Sequence, residues 1–275
     1  MPTNSTTAAG ASDEGLYVAT FERLALEAGR LVMEVFNGAM AVEQKADASP
    51  VTEADRASER LILEGLRTEF PGIPCVAEEE ASCGLLPTEL GDTFFLVDPL
   101  DGTREFVRRN ADFTVNIALV RQGVPVVGVV YAPASGRLFS GRSDHAEAAE
   151  VGANGDVLNR HRIHVREGAT PLTIVASRSH IDEETLAYLG RFEAAEIISV
   201  GSSLKFCLLA AAEADLYPRF GRTMEWDTAA GDAVLRAAGG ATVTLDGAPL
   251  NYGKTEANFA NPPFISCGRL AKSPL

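Results

Sequence analysis

The sequence predicts an α/β protein with layered α+β architecture, and two observations indicate this class. In the first half, two long segments with helical periodicity come before a series of short apolar runs of strand length. In the second half, strand-like and helix-like segments alternate, which is typical of sheets covered by helices. The chain has 275 residues and 46% of them are apolar, which is enough for one extended core or two packed lobes.

The elements of the first half follow from apolar spacing and from capping residues. A helix is predicted over 14–37, where apolar residues recur at helical spacing and Gly38 is placed to end it. A second helix is predicted over 52–70, with Thr52 as its N-cap and Pro71 after its last turn. Short apolar runs predict strands over 73–77, 93–98, 113–120, 124–131 and 137–140.

The second half predicts a lobe of strand–helix units. Strands are predicted over 172–176, 197–200, 215–217 and 241–245, and helices over 182–192, 202–213 and 227–238. The polar segment 141–160 is expected to join the lobes, which divides the chain at 13–150 and 151–275. Residues 1–12 are small and polar and lack the pattern of a secretory signal, so we expect a disordered tail.

Composition limits the partners of the chain. The formal net charge is −14 and the isoelectric point is about 4.8, so we expect neither nucleic acid nor an anionic membrane as a partner. No apolar run approaches the roughly 18 residues that span a bilayer. Four cysteines without a C-x-x-C pair predict free thiols in a reducing cytoplasm. The pair His161 and His164 is expected on a surface strand rather than in a zinc site.

The most informative motif is the hexapeptide Asp98–Thr103, which follows the apolar run 93–97. Two carboxylates three residues apart at the end of a buried strand repel each other, and a divalent cation between them would relieve that repulsion. The motif therefore predicts a metal site. Because Asp-Gly is also common in simple turns, the loop alone does not decide the question.

Three further acidic features stand at the ends of predicted elements. Glu78 opens the run Glu78–Glu80 after an apolar strand, Asp55 lies in the first turn of a helix, and Asp227 begins another helix. Taken singly, they are typical of a solvated charge run and of first-turn acids favoured by the helix dipole. If they converge with the hexapeptide, they form the oxygen-rich environment that Mg²⁺ prefers.

The hexapeptide is suited to phosphate hydrolysis with two metal ions. The Leu100 carbonyl can ligate a metal, Gly102 lets the chain turn close to a phosphate, and the Thr103 hydroxyl can orient a water. Phosphatases of the haloacid-dehalogenase type carry a similar D-x-D-G-T motif. Here Pro99 and Leu100 both stand between the acids, which argues against covalent aspartyl catalysis.

The acidic motifs together resemble those of the inositol monophosphatase superfamily. The matching segments are Ala77–Glu79, Asp98–Thr103, Trp226–Asp227 and the V-T-x-x-D segment at 51–55. The resemblance implies the αβαβα sandwich of the inositol monophosphatase and fructose-1,6-bisphosphatase type. A narrower resemblance to the CysQ-type 3'(2'),5'-bisphosphate nucleotidases rests on segments 102–106, 109–110, 113–119, 177–180, 200–207, 216–221 and 226–231.

The resemblance implies a role for each matching residue. The implied metal ligands, for two or three Mg²⁺, are Glu78, Asp98, the Leu100 carbonyl, Asp101 and Asp227. Thr103, with Glu78 or Asp55, positions the attacking water, and Gly102 with Thr103 contacts the scissile phosphate. The set expected to receive a nucleoside 5'-phosphate is His180, Ser202, Ser203, Lys205 and Arg219. Cations and hydroxyls suit a phosphate, although Lys205 and Arg219 could also be solvated surface charges.

The implied activity is magnesium-dependent hydrolysis of the 3'-phosphate of adenosine 3',5'-bisphosphate, giving AMP, with sensitivity to lithium. The sulfated relative of this nucleotide is a second expected substrate. Inositol monophosphatase or fructose-1,6-bisphosphatase activity is the alternative, and a metal-dependent nucleotide-binding or regulatory protein without turnover is an alternative of another class. Glu225, beside Trp226, is an additional acid that could alter metal affinity. The sequence leaves open whether the chain is a monomer or a homodimer and whether it attaches loosely to the inner membrane.

Overall fold

The computed structural model describes residues 7–38, 42–44, 50–143, 145–168, 170–178, 182–192, 195–270 and 274–275. Its first elements are helix α1 (Thr7–Asn37), strands β1 (Val42–Gln44) and β2 (Pro50–Thr52), and helix α2 (Glu53–Glu69). Strand β3 (Cys75–Ala77) leads directly into helix α3 (Glu78–Ser82), and strand β4 (Thr93–Asp101) leads into helix α4 (Thr103–Val107).

A meander of strands follows. It comprises β5 (Thr114–Arg121), β6 (Val124–Ala132), β7 (Arg137–Arg142), β8 (His145–Val151) and β9 (Val157–Ile163). The remaining elements are β10 (Thr173–Ser177), α5 (Glu183–Leu189), β11 (Glu196–Val200), α6 (Leu204–Ala210), β12 (Leu216–Arg219), α7 (Ala229–Ala237), β13 (Ala241–Thr244), a short 3₁₀ turn (Thr255–Ala257) and β14 (Phe264–Cys267).

Two sheets organise these strands. The first has the order β3-β4-β5-β6-β7-β8-β9 and is antiparallel except for the β3–β4 pair. The second has the order β11-β10-β12-β14-β13 and mixes parallel with antiparallel pairs. Helices α1 and α2 share one apolar core with the first sheet, α6 and α7 share another core that reaches both sheets, and α5 covers the second sheet. This confirms the predicted αβαβα layering.

Close packing of α7 on the first sheet fixes the position of its N-terminal end, which follows Asp227. A Cβ at Gly128 in β6 would lie 2.3 Å from the Ala230 carbonyl oxygen, and one at Gly141 in β7 would lie 2.6 Å from the Val234 Cα. Only glycine permits this approach of a helix to a sheet. The metal-motif aspartate is therefore placed by backbone-to-backbone contact rather than by a flexible loop.

Three predictions from the sequence need correction. Residues 7–12 belong to α1 and not to the predicted tail. The predicted connecting segment 141–160 instead supplies the end of β7, all of β8 and part of β9, so the first sheet extends to Ile163. The buried positions of β8 are mainly alanines, such as Ala146 and Ala148, and alanine gives only a weak strand signal. The division into lobes at residue 150 stays a prediction.

The third correction concerns the hexapeptide. Strand β4 does not stop at Asp98 but pairs with β5 as far as Asp101, with an irregular register between these two residues. A bulge of this kind inserts extra residues into one strand and redirects its side chains. Strand β14 was not predicted, and α5, α6 and α7 are shorter than their predicted ranges. Among the described residues, we find no helix with the length and apolar character to span a bilayer.

Candidate active site

The β4–α4 turn holds the hexapeptide in a tight, largely buried conformation. The Asp98 side chain is buried, and its Oδ1 accepts a hydrogen bond from the Leu100 N–H at 3.1 Å. Gly102 has φ +94°, and a Cβ there would lie 2.9 Å from the Asp112 carbonyl oxygen. The Thr103 hydroxyl donates to the Leu100 carbonyl at 3.2 Å. The turn thus requires glycine, and it sets Thr103 above the two acids.

Ser203 connects Asp101 of the hexapeptide with Asp227. Its N–H donates to Asp101 Oδ2 at 2.6 Å, and its hydroxyl donates to the Asp227 backbone carbonyl at 2.6 Å. Asn116 of β5 donates from Nδ2 to Ser203 Oγ at 3.1 Å and to Asp101 Oδ2 at 3.4 Å. Asp227 is tied to its own loop, since its Oδ2 accepts from the Met224 N–H at 2.7 Å. These bonds hold residues from both sheets in one arrangement.

The carboxylates of the site raise one another's pKa. The pKa of Asp98 lies well above its usual value, first because the side chain is buried and then because Glu78, Asp101, Asp227 and Asp55 add negative charge nearby. The pKa of Asp227 is raised by burial, then by Asp101 and Glu78. Burial also raises the pKa of Asp101, although Lys205 and the bonds from Ser203 act in the opposite direction. The sequence-predicted acids therefore do converge.

The donor set fits a hard divalent cation. Asp98, Asp101 and Asp227 each use one carboxylate oxygen for a backbone N–H bond, which leaves the second oxygen of each for another ligand. Oxygen ligands without sulfur or imidazole are what Mg²⁺ prefers. Across the described ranges, no set of three or more His, Cys, Asp or Glu side chains has the closed geometry of a formed metal centre. The fit therefore rests on donor chemistry and mutual repulsion.

A cavity of about 270 Å³ is lined by an acidic and a basic set of residues, which we call its acidic end and its basic end. Glu78, Asp101 and Asp227 line the acidic end with Gly102 and Thr103. The other lining residues include Ser202, Lys205, Arg219, Arg222 and Thr223. Eight of the residues predicted for the site therefore share one cavity, and the cavity itself can hold a small anion beside a metal site.

Lys205 is a buried cation and not the solvated charge that was the alternative interpretation. Its exposed fraction is 5%, and its Nζ donates to the Ser202 and Val200 carbonyls. The ammonium also lies 5.3 Å from the ring centroid of Tyr217. Burial lowers the pKa of Lys205 to about 8, while the negative charge of Asp101 opposes that shift. Lys205 therefore lies close enough to Asp101 for the two charges to affect each other's pKa.

Arg219 is likewise buried, with an exposed fraction of 7%, and it donates from Nη2 to the Arg222 carbonyl at 3.1 Å. Burial raises the pKa of Asp182, but hydrogen bonds from Thr185 and the positive charge of Arg219 outweigh that effect, so the pKa is lowered. Arg222 is exposed at the rim of the cavity. The two arginines at i and i+3 thus flank one turn, with one guanidinium inside and the other at the mouth.

The segment before α6 is anchored to the first sheet. Ser202 has φ +51°, which is uncommon for a residue with a side chain. The preceding Gly201 donates its N–H to Asp112 Oδ2 at 3.0 Å, and Arg178 pairs with the same oxygen at 2.7 Å. A Cβ at Gly201 would lie 2.6 Å from the Asp112 carbonyl oxygen. These contacts explain how a strained Ser202 is held facing the cavity.

The structure places several predicted residues behind the cavity wall rather than on it. Asp55, Asp98, Leu100 and Ser203 are buried and do not line the cavity. Ser203 was predicted to receive a phosphate. In the structure, its N–H donates to Asp101 and its hydroxyl donates to the Asp227 carbonyl. His180 lies outside the described residues.

The expectation that Glu225 could alter metal affinity stays a prediction. The side chain is fully buried and accepts hydrogen bonds from the N–H groups of Gly253 and Lys254 at 2.6 and 2.8 Å. It also pairs with the Lys254 ammonium at 2.7 Å. Glu225 therefore binds the loop containing Asp227 to the turn at residues 253–254.

Sequence reasoning missed Asn116, Arg222 and Glu59. Asn116 is a polar residue within an otherwise apolar strand, a pattern that indicates a buried hydrogen-bonding role. Arg222 had a weaker signal, since only its spacing from Arg219 set it apart. Glu59 had only its spacing as a signal, because it stands three and seven residues before the buried Ile62 and Leu66, while a glutamate in a charged helix is ordinarily solvated.

Comparison with known proteins agrees with this geometry over nearly the whole chain. The profile of the inositol monophosphatase family matches residues 14–272. The chain belongs to the inositol monophosphatase family.

Within that family, the chain is 47% identical over 244 residues to the 3'(2'),5'-bisphosphate nucleotidase CysQ of Escherichia coli O157:H7, covering 88% of this chain and 96% of that protein. It is 41% identical over 247 residues to the CysQ of Buchnera aphidicola, covering 89% and 91%.

Solved structures of the family agree in fold. CysQ from Bacteroides thetaiotaomicron superposes with a TM-score of 0.77 at 36% identity, covering 92% of this chain and 97% of that one. The Thermotoga maritima inositol monophosphatase gives a TM-score of 0.73 at 28% identity, covering 90% of each chain.

Proposed function

We propose that this protein is a magnesium-dependent phosphatase that hydrolyses the 3'-phosphate of adenosine 3',5'-bisphosphate to give AMP and phosphate. The observation that carries the proposal is the cavity of about 270 Å³ with carboxylates at one end and Lys205 and Arg219 at the other. A substrate with two phosphates matches both ends. The similarity to several CysQ nucleotidases supports the same activity.

The acidic end would hold the metal. Glu78, Asp98, Asp101, Asp227 and the Leu100 carbonyl are the proposed ligands, for two or three ions. When bound, magnesium supplies Lewis-acid stabilisation of the phosphate oxygens and lowers the pKa of water at the site. The ligand oxygens come from α3, β4 and the loop before α7, so the ions would also join the two sheets.

Three residues are proposed to position the attacking water. The Thr103 hydroxyl donates its hydrogen to the Leu100 carbonyl. The lone pairs of the hydroxyl oxygen can therefore accept a hydrogen bond from water. Glu78 lines the same cavity as Thr103, and its carboxylate can accept a proton from that water. Asp55 lies close enough to raise the pKa of Asp98, so its charge acts at the same end. Gly102 lets a phosphate approach the N–H groups that open α4.

The basic end is proposed to bind the 5'-phosphate. Lys205 and Arg219 are already desolvated, so their interaction with an incoming anion is weakened less by water than it would be at the surface. Ser202 adds a hydroxyl, and Arg222 adds a second guanidinium at the rim. An anion would also stabilise the protonated form of Lys205, whose pKa of about 8 is low for a lysine.

Inositol monophosphatase activity is the second candidate, favoured by the similarity to the Thermotoga maritima enzyme. The two activities share the acidic end and differ in the need for a second cationic end. The sulfated nucleotide carries the same 3'- and 5'-phosphates, so we propose it as an additional substrate. We propose a cytoplasmic location as a monomer or homodimer, consistent with four free cysteines.

A comparison of kcat/KM across adenosine 3',5'-bisphosphate, inositol 1-phosphate and fructose 1,6-bisphosphate tests this proposal. We expect the nucleotide to be preferred by about a hundredfold or more, since a desolvated charge-assisted contact contributes about 1.5–3 kcal/mol. In Lys205→Met, KM for the nucleotide should rise about tenfold to a hundredfold, while kcat/KM for inositol 1-phosphate serves as the internal control and stays within about threefold. An equal loss for both substrates would contradict the assignment of Lys205.

A further inference from the structure

Glu59 has an unusual position for a helix glutamate. It lies in α2 with an exposed fraction of 4%, on the same helix face as the buried Ile62 and Leu66. Its two carboxylate oxygens accept hydrogen bonds from consecutive backbone N–H groups, Oε2 from Glu79 at 2.7 Å and Oε1 from Glu80 at 2.8 Å. These are the N–H groups of the first turn of α3, directly after Glu78.

Helix α3 has no cap of its own. Its N-cap residue, Ala77, offers no side-chain acceptor, and the first N–H groups of a helix have no intrahelical partner. Glu59 therefore supplies from another helix the acceptor that a Ser, Thr or Asp would otherwise provide. The carboxylate fixes both the position and the direction of the backbone that carries Glu78.

Asp55 and Glu59 stand four residues apart in α2, so they lie on the same helix face. Both are buried. The Asp55 charge acts on Asp98, whereas the Glu59 carboxylate binds α3. One face of α2 therefore reaches two of the motifs that form the acidic end of the cavity.

Holding an ionised carboxylate in this place is unfavourable for folding. Burial raises the pKa of Glu59 to about 7 in spite of the two N–H donors, and the charges of Glu79 and Glu80 raise it further. A nearby cation, Arg67, is engaged with both oxygens of Glu80 at 2.7 and 2.9 Å. A glutamine could accept from only one of the two N–H groups and would place its own NH2 donors against the other, so the contact with both N–H groups requires a carboxylate.

We propose that Glu59 is a positioning residue for metal binding, which acts through α3 by holding Glu78 towards the cavity before Mg²⁺ arrives. This inference rests on the proposed role of Glu78 as a metal ligand. The bidentate contact keeps the first turn of α3 formed while Glu78 faces other carboxylates that repel it. Preorganisation of this kind strengthens metal binding, because less conformational freedom of the ligand is lost when the ion binds.

The test compares Glu59→Gln with Glu69→Gln at pH 8. Glu69 is the control because it lies in the same helix and its exposed carboxylate accepts hydrogen bonds, from Thr20 at 2.7 Å and from Arg23, but it does not line the cavity. Mg²⁺ affinity is measured by titration calorimetry without substrate, and thermal unfolding is measured without metal. We expect Glu59→Gln to weaken Mg²⁺ binding about tenfold, with KM for the nucleotide at saturating Mg²⁺ unchanged, and Glu69→Gln to bind Mg²⁺ like the wild type.

Two results would overturn the proposal: wild-type Mg²⁺ affinity in Glu59→Gln, or the same loss in both variants, which would mean general loosening of α2. Glu78→Gln separates this failure from failure of the proposed function. If Glu78→Gln binds Mg²⁺ normally, Glu78 is not a ligand and both proposals fall. If it loses affinity while Glu59→Gln does not, only the positioning role is wrong.

A measurement on the unmodified protein keeps the proposal testable if Glu59→Gln does not fold. We expect the amides of Glu79 and Glu80 to be protected from hydrogen exchange in the metal-free protein, by about a hundredfold or more, because both are bound to a buried carboxylate. Exchange of these two amides at the unprotected rate would overturn the inference.

Discussion

Among single residues, Asp98 lies in an environment that strongly disfavours its ionised form. It is buried behind the cavity wall, it follows an apolar strand, and four other carboxylates raise its pKa after burial has done so. In the absence of metal, the ionised form therefore destabilises the fold. With metal, the same charge becomes a source of binding free energy, and stability should rise with ligand concentration.

Asp98→Asn separates these two effects. Because the folded-state pKa lies above 3.8, the ionised carboxylate lowers stability once the pH exceeds the value at which the unfolded chain loses its proton. At pH 8 without metal, we expect Asp98→Asn to melt several degrees above the wild type, since about 1 kcal/mol shifts Tm by roughly 2–4 °C in a chain of this size. Near pH 3 the difference should vanish.

Saturating Mg²⁺ should reverse that order, since only the wild type gains the full binding energy, and turnover of the variant should fall by about a hundredfold or more. Calorimetric melting curves with EDTA and with Mg²⁺ provide the measurement. An Asp98→Asn variant that Mg²⁺ stabilises as strongly as the wild type would contradict the ligand assignment.

At the level of elements, the site depends on turns that leave no space for a Cβ. The β4–α4 turn places Gly102 against the backbone of Asp112, and the segment before α6 places Gly201 against the same residue. Asp112 thus contacts both turns that border the cavity. This contact of Asp112 with both glycines fixes the separation between the β4–α4 turn and the segment before α6.

Gly102→Ala tests that dependence, with Gly72→Ala as the matched control. Both glycines have φ near +90°, but a Cβ at Gly102 meets the Asp112 carbonyl at 2.9 Å while one at Gly72 meets nothing within 4 Å. Each variant should lose about 1 kcal/mol from backbone strain. Only Gly102→Ala should also lose kcat, by about tenfold or more, since a small displacement of a reacting group is costly. Equal kcat values for Gly102→Ala and Gly72→Ala, measured on fully folded samples, would show that the contact between residue 102 and Asp112 is unimportant for turnover.

Several elements and motifs could be predicted because their signal is local. The two long helices, the strands of the meander and the acids Glu78, Asp98 and Asp227 all follow from residues adjacent in the sequence. Strand β8 was missed because alanines conceal its pattern, whereas the surface strand expected at His161 is confirmed as part of β9. The roles of Glu59 and Ser203 could not be predicted, since each is defined by a partner at least 20 residues away.

For the whole molecule, the net charge of −14 makes the binding of a polyanionic substrate a local problem. The general field repels a bisphosphate nucleotide. We propose that attraction comes from cations bound at the acidic end of the cavity and from Lys205, Arg219 and Arg222, which also line it. Under this proposal, the substrate binds with the phosphate to be cleaved beside the carboxylates.

The products of adenosine 3',5'-bisphosphate hydrolysis test that orientation most directly. Phosphorus NMR of a complete reaction in Mg²⁺ should show inorganic phosphate and the 5'-monophosphate, because the 5'-phosphate is held at Lys205 and Arg219 away from the metal ligands. Omission of Mg²⁺ should prevent the reaction. Formation of the 3'-monophosphate, or equal amounts of both monophosphates, would contradict the proposed assignment of the two ends of the cavity.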